Sequence, residues 1–124
     1  MSKITAQIGI ERKKVLVDYA TIVGHFNKET DALLKLANKY DMCLTSLTLY
    51  KLYKDLGSRP DMLEHVFNIQ KSMEVIPIDA DIVYNSYRSG VEKKLTVTEA
   101  FDIAVAKEKR MRYISAKREG LTFE

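Results

Sequence analysis

The chain has 124 residues, of which 46% are hydrophobic and 30% are charged, with a net charge of +3. This length fits one domain with a sizeable core, and the charge is too small to indicate nucleic-acid binding by itself. The single cysteine, Cys43, excludes an internal disulfide, and without a Cys/His cluster it argues against a zinc site. Because no apolar run approaches the length of a membrane span and the N-terminus lacks a signal-peptide core, we expect a cytoplasmic protein without a membrane anchor.

The N-terminal part of the chain changes from an alternating pattern to a short apolar run. Residues 1–12 carry apolar side chains at alternate positions and form either an edge strand or a tail ahead of a domain at residues 13–124. The run Val15-Leu16-Val17 predicts a strand buried on both faces. Asp18 follows where this strand ends. It is either the N-cap of the next helix or a functional acid at the carboxyl edge of a parallel sheet, where ligands bind.

Helices and strands alternate through the rest of the chain. Further strands are expected at residues 42–45, 75–78 and 112–115, each preceded by a helical segment. Ser46 or Thr48 is expected to begin the helix after the second strand. Strands separated by helices predict an α/β fold in a single domain, with a parallel sheet and right-handed crossovers.

Three separated stretches follow the pattern of one known family. They are Val15-Leu16-Val17-Asp18-Tyr19-Ala20-Thr21-Ile22, Thr45-Ser46-Leu47-Thr48-Leu49-Tyr50-Lys51-Leu52, and Leu95-Thr96-Val97-Thr98-Glu99-Ala100-Phe101-Asp102-Ile103-Ala104 leading to Tyr113-Ile114-Ser115. In order and spacing they resemble the PIN domain, a family of small metal-dependent ribonucleases. The resemblance implies a PIN-like parallel sheet flanked by helices on both faces. It also implies acids at the carboxyl edge that hold Mg²⁺ or Mn²⁺, and an activity similar to that of toxin-type endoribonucleases.

Site residues are carried over from the resemblance position by position. Asp18 and Glu99 match metal-binding, catalytic acids, and Asp102 lies one helical turn beyond Glu99 as a further catalytic candidate. Lys51 reverses the charge of the family's second acid. Its ammonium is expected to replace the metal by pairing with Asp18 or Glu99, or else Lys51 is a solvated helix residue. Other motif positions expected to line the site are Ser46, Ser115 and Lys117.

The same acids also have structural interpretations. Thr96 and Glu99 have the spacing of a capping box, which by itself explains Glu99. Asp102 lies on an otherwise apolar helix, where solvent or a lysine partner accounts for it equally well. Lys117 stands where an acid is common, with Glu119 as the nearest substitute, so the acid set is incomplete. The sequence therefore fits either an endoribonuclease weakened or inactivated by this loss, or a non-catalytic module that binds RNA or a protein.

Two further features predict partners. A basic cluster near the C-terminus is expected to contact RNA phosphates, or to complement the C-terminus of a helix. Its RNA-binding candidates are Lys107, Lys109, Arg110, Arg112 and Arg118.

The helix after Pro60 carries apolar residues on more than one face, among them Met62, Val66, Phe67, Ile69 and Met73, which predicts a homodimer through this helix. The resemblance adds an antitoxin-like protein as a third partner.

Overall fold

A computed structural model describes residues 12–29 and 31–115. The strand-or-tail alternative for residues 1–12 therefore lies outside the described residues except at Arg12, and the candidates Lys117, Arg118 and Glu119 lie outside them too. Within the described ranges, no helix is long and apolar enough to cross a membrane.

The described part of the chain forms a parallel sheet in which two helices lie between each strand and the next along the chain. The strands are β1 Lys14–Val17, β2 Asp41–Thr45, β3 Glu74–Ile76 and β4 Arg112–Ile114, in the spatial order β3-β2-β1-β4. The helices are α1 Tyr19–Phe26, α2 Ala32–Ala37, α3 Ser46–Leu56, α4 Pro60–Ser72, α5 Ala80–Lys93 and α6 Val97–Lys109. Each neighbouring pair of strands is parallel, which confirms the predicted α/β fold.

α3 begins at Ser46, one of the two residues expected to open it. Thr45, rather than Ser46 or Thr48, is the N-cap, because the backbone is still extended at this last residue of β2. Its hydroxyl oxygen therefore accepts a hydrogen bond from the Thr48 N–H at 3.1 Å. This cap places the side chain of Thr45 at the carboxyl edge of the sheet.

Side chains alternate along the strands between two cores, one on each face of the sheet. Val15 and Val17 of β1 belong to the core formed with α1 to α4, whereas Leu16 belongs to the core formed with α5 and α6. Tyr113 of β4 is paired with Leu16 and shares its core. Helices therefore cover both faces, as a buried parallel sheet requires.

The register of β1 and β4 fixes the carboxyl edge. Val17 pairs with Ile114, so the next residues, Asp18 and Ser115, lie side by side at the ends of neighbouring strands. The Asp18 N–H donates to the Ile114 carbonyl at 3.0 Å and continues the ladder by one bond. Strand pairing thus holds the backbone of Asp18 in place.

Four of the five apolar side chains named for the helix after Pro60 are covered within this chain. Met62, Val66, Ile69 and Met73 are all buried within this chain. Phe67 is half-exposed and packs edge-on against Tyr53, with ring centroids 5.7 Å apart. An exposed apolar side chain therefore remains on this helix, and the homodimer through it stays a prediction.

Candidate functional site

A groove of about 480 Å³ opens at the carboxyl edge, where the first turns of α1, α3 and α6 meet. Four of its lining residues are those singled out from the sequence: Asp18, Lys51, Glu99 and Asp102. We call this cavity the acid groove. Convergence of the three acids follows from the parallel sheet, which brings the ends of its strands and the following helix N-termini to one edge.

Asp18 is both the N-cap of α1 and a lining residue of the acid groove. Its Oδ1 accepts from the Thr21 N–H at 2.9 Å and from the Thr21 hydroxyl at 2.5 Å, so it caps α1. Its Oδ2 accepts from the Ser115 hydroxyl at 3.0 Å. A carboxylate offers about four lone-pair positions, so a cap at Oδ1 is compatible with another contact on the same carboxylate. Capping therefore does not exclude a ligand at Asp18.

Asp102 is the most unusual acid in the groove, because only 1% of its surface is exposed. Its Oδ2 accepts from the Tyr113 hydroxyl at 3.0 Å, and its Oδ1 has a long contact of 3.5 Å with the Thr45 hydroxyl. Burial raises the pKa of Asp102 to about 7, with a further increase from the negative charge of Asp18. The hydroxyls of Tyr113, Thr45 and Thr48 counteract this increase. The predicted solvent or lysine partner is thus replaced by buried hydroxyls.

Glu99 lines the groove but is engaged in the predicted capping box. Its Oε1 accepts from the Thr96 N–H at 3.2 Å and from the Thr96 hydroxyl at 3.0 Å. The Glu99 N–H in turn donates to the Thr96 hydroxyl oxygen at 3.3 Å. The structural interpretation of Glu99 is therefore confirmed, and a ligand would have to compete with this cap for the carboxylate.

Lys51 lies on the predicted side of α3 but has a different partner from the predicted one. Its ammonium donates to Asp55 at 3.1 Å and lies 4.5 Å from the centre of the Tyr19 ring. The Tyr19 hydroxyl donates to the same Asp55 oxygen at 2.7 Å. These bonds, from Tyr19 and then from Lys51, lower the pKa of Asp55. Asp55, rather than Asp18 or Glu99, is what holds the Lys51 ammonium at the rim of the groove.

The remaining sequence candidates divide between this site and other surfaces. Ser115 contacts Asp18 directly. From the first turn of α3 the groove is lined by Leu47 rather than by Ser46. Of the basic candidates, Lys109, Arg110 and Arg112 line a cavity at the amino edge, and Lys107 lines another beside α5.

The residues that the sequence did not single out are the hydroxyl donors around the acids. Thr45, Thr48 and Tyr113 are fully buried, and Thr21 is nearly so. Each has an ordinary role in the sequence, as a strand, helix or cap residue. A signal was nevertheless present for Thr21, because an aspartate three residues before a threonine at a helix start is a capping arrangement.

The carboxylate oxygens in the groove are suitable ligands for a hard divalent cation that a substrate phosphate also coordinates. The described residues contain no group of three or more acidic, histidine or cysteine side chains close enough to hold a metal. Mg²⁺, however, is commonly bound through one or two carboxylates together with water and substrate phosphates. Asp18 and Asp102 could supply those carboxylates, with Glu99 as a third if it left its cap.

Comparison with known proteins gives matches in structure and none in sequence. No protein-family model and no curated protein matches the chain. A toxin–antitoxin complex from Klebsiella pneumoniae superposes with a TM-score of 0.69 and 18% identity, over 80% of this chain and 82% of that chain. Mycobacterium tuberculosis VapC20, a sarcin–ricin loop cleaving toxin, has a TM-score of 0.65 and 16% identity, over 79% and 85%. DNA-bound VapBC from Salmonella typhimurium has a TM-score of 0.70 and 15% identity, over 92% and 98%.

The chain has a PIN-like fold. The resemblance drawn from three short sequence motifs is thereby confirmed for the fold. At identities of 15% to 18% the likeness concerns the arrangement of the backbone. The chemistry of this PIN-like domain therefore has to be argued from its own residues.

Proposed function

We propose that this chain is a toxin-type PIN-like protein that binds RNA in the acid groove and cleaves it slowly with Mg²⁺ or Mn²⁺. The observation that carries the proposal is the convergence of Asp18 and Asp102, two carboxylates near enough for the charge of one to raise the pKa of the other. Mutual repulsion between buried acids is relieved by a cation. Two neighbouring carboxylates destabilise the fold when no cation is bound, but together they can bind a cation.

Asp18 and Asp102 would hold the cation together with a substrate phosphate. When bound, the cation supplies Lewis-acid polarisation and neutralises charge at a phosphodiester. The chain itself orients both carboxylates, since Ser115 and Thr21 hold Asp18 while Tyr113 holds Asp102. The incomplete acid set and the capped Glu99 are the reasons to expect slow cleavage.

RNA fits the rim of the groove. Lys51 and Lys54 supply positive charge to phosphates, while the exposed Tyr50 and the half-buried Tyr19 offer rings for base stacking. VapC20 is described as a sarcin–ricin loop cleaving toxin, which supports the same substrate class here. We therefore expect single-stranded RNA rather than a duplex.

A protein partner of the antitoxin kind belongs to the same proposal. It is supported by the toxin–antitoxin complex and the VapBC complex among the structural neighbours. A cytoplasmic location and a homodimer stay predictions. For the homodimer, the half-exposed Phe67 is the part of the predicted apolar set that α4 leaves uncovered.

Cleavage by matched variants tests the proposal. Asp18→Asn keeps an N-cap at α1 but removes the charge at the groove. Asp79→Asn is its control, because Asp79 caps α5 with the same 2.9 Å bond to a backbone N–H, outside the acid groove. With Mn²⁺ and a single-stranded RNA, we expect slow cleavage by the wild type and by Asp79→Asn, and loss of cleavage in Asp18→Asn. Equal cleavage by both variants would show that Asp18 serves only as a cap.

A second candidate function, RNA binding without cleavage, is favoured by the raised pKa of Asp102. A carboxyl group with a pKa of about 7 is protonated in a large share of molecules at neutral pH, and a protonated carboxyl is a poor cation ligand. In the same assay, RNA binding without cleavage at pH 8 and at pH 6 would select this function. Cleavage that appears only at the higher pH would select the nuclease.

A further inference from the structure

A second and larger cavity, of about 910 Å³, lies at the amino edge of the sheet, opposite the acid groove. Its lining brings together cationic side chains from the start of β1, the end of α6 and the start of β4. These are Lys13, Lys14, Lys109, Arg110 and Arg112. We call this cavity the basic groove.

Positive charge in the basic groove is only partly neutralised by the chain. Within the described residues that line it, Glu74 is the only acid, and it is paired with Lys14 at 2.8 Å. Lys13 and Arg110 are exposed, and no ion pair joins either of them to another described residue. The groove therefore presents a net positive surface to a ligand.

Helix capping does not account for the side chain of Arg110. The residue follows α6 with a left-handed backbone, φ 55°, and its backbone N–H already donates to the carbonyls of Ala106 and Lys107. The guanidinium is thus not used for capping and lines the groove instead. Arg112 lies beside it and donates to the Tyr40 hydroxyl at 3.1 Å, which sets the direction of its side chain.

We propose that the basic groove is a second nucleic-acid site, which binds the phosphate backbone of an RNA strand without reading its sequence. The proposal uses the proposed function only in taking RNA as the polyanion. The lysines and arginines lie along one open edge, which suits a chain of repeated phosphates. The strand β1 separates the two grooves by about 13 Å, at roughly 3.3 Å per residue. Because helices cover both faces of the sheet, an RNA has to pass around them to join the grooves, and a long RNA does so more readily than a short one.

Charge-reversal variants with matched controls test the second site. Lys13→Glu/Arg110→Glu reverses two charges in the basic groove. Lys28→Glu/Lys93→Glu is the control, because it makes the same charge change at exposed lysines outside both grooves, and Lys28 shares the left-handed backbone of Arg110. All proteins carry Asp18→Asn to prevent cleavage, and their thermal unfolding is compared. Lys13→Gln/Arg110→Asn removes the charges without reversing them, in case the reversal disturbs folding.

Binding is measured by fluorescence anisotropy with a 30-nucleotide and a 6-nucleotide single-stranded RNA over a range of salt concentrations. For the long RNA, we expect binding about ten- to thirtyfold weaker in the basic-groove variant and a salt slope smaller by about 1.4, from two lost phosphate contacts. The control variant should change binding much less. A short RNA should be affected less than the long one.

Results other than these expected ones distinguish a failure of the basic groove from a failure of the function proposed for the acid groove. Equal losses in the variant and the control, or no loss in either, would overturn the second site. If Lys51→Glu/Lys54→Glu weakens binding and Lys13→Glu/Arg110→Glu does not, only the acid groove binds RNA. The reverse result supports the basic groove and overturns RNA binding in the acid groove. Absence of RNA binding overturns both, and tighter binding of an equally charged polyglutamate than of RNA would assign the basic groove to acidic proteins instead.

Discussion

At the carboxyl edge of the sheet, Asp18 and Asp102 are 8% and 1% exposed and are held by hydroxyl donors. At the amino edge, Lys14 and Glu74 pair with each other through side chains that are 54% and 50% exposed. Buried charges depend on each donor around them, because water cannot replace a lost partner. Exposed charges are solvated with or without the pair. The two edges should therefore respond very differently to the loss of one polar group.

The largest effect is expected for Asp102→Asn, and it should depend on pH. In the unfolded chain this carboxyl has a pKa near 3.8, whereas burial raises it to about 7 in the fold. Between these values the folded state holds the extra proton, so its stability falls as the pH rises from about 4 to 7. Removing the charge should increase the free energy of unfolding by about 2 to 4 kcal/mol at pH 8 and by little near pH 4.

Urea unfolding of the wild type and Asp102→Asn at both pH values measures this gain. Asp61→Asn is the control, because Asp61 is an exposed acid that lines neither groove, with 71% of its side chain accessible. The same gain at both pH values, or none at pH 8, would mean that burial does not penalise the Asp102 charge.

A smaller effect is expected for Tyr113→Phe. This change removes the hydroxyl that donates to Asp102 at 3.0 Å and keeps the ring in the core. At pH 8 it should cost about 1 to 2 kcal/mol, because a buried carboxylate loses a donor. In a double-mutant cycle with Asp102→Asn, we expect a coupling of at least about 0.5 kcal/mol. Additive effects would contradict the role given to this hydrogen bond.

The smallest effect is expected at the amino edge. Glu74→Gln removes the pair with Lys14, yet both side chains are about half exposed. The free energy of unfolding should fall by less than about 1 kcal/mol, and the difference should shrink in high salt. Chemical denaturation at low and at high ionic strength checks this. If Glu74→Gln lowered the free energy of unfolding as much as Tyr113→Phe does, the exposed charges at the amino edge would be as sensitive to a lost partner as the buried acids at the carboxyl edge.

Local patterns in the sequence were sufficient for much of this architecture. Val15-Leu16-Val17 followed by Asp18 predicted a buried strand that ends at an acid, and the Thr96 and Glu99 spacing predicted the capping box that is observed. The PIN-like motifs correctly brought Asp18, Glu99, Asp102 and Lys51 to one groove. Each of these inferences depends on a strand end or a helix start, which neighbouring residues determine.

The hydrogen bond between Tyr113 and Asp102 could not be predicted from the sequence, because it joins residues on two different elements. Tyr113 reads as an ordinary strand residue, and only the packing of β4 against α6 brings its hydroxyl to Asp102. The partner of Lys51 was missed for a different reason. Asp55 lies one helical turn further along α3, and this local pairing was overlooked in favour of a distant one.

Titration of the protein with Mn²⁺ by isothermal calorimetry at pH 8 is the most direct test of the carboxyl edge as a functional site. The wild type and the cap control Asp79→Asn should show the same weak, saturable binding, whereas Asp18→Asn and Asp102→Asn should each lose it. These losses should occur without a decrease in the melting temperature of the metal-free protein. Identical heats from the wild type and Asp18→Asn, or no binding heat from the wild type, would contradict a cation site at Asp18 and Asp102.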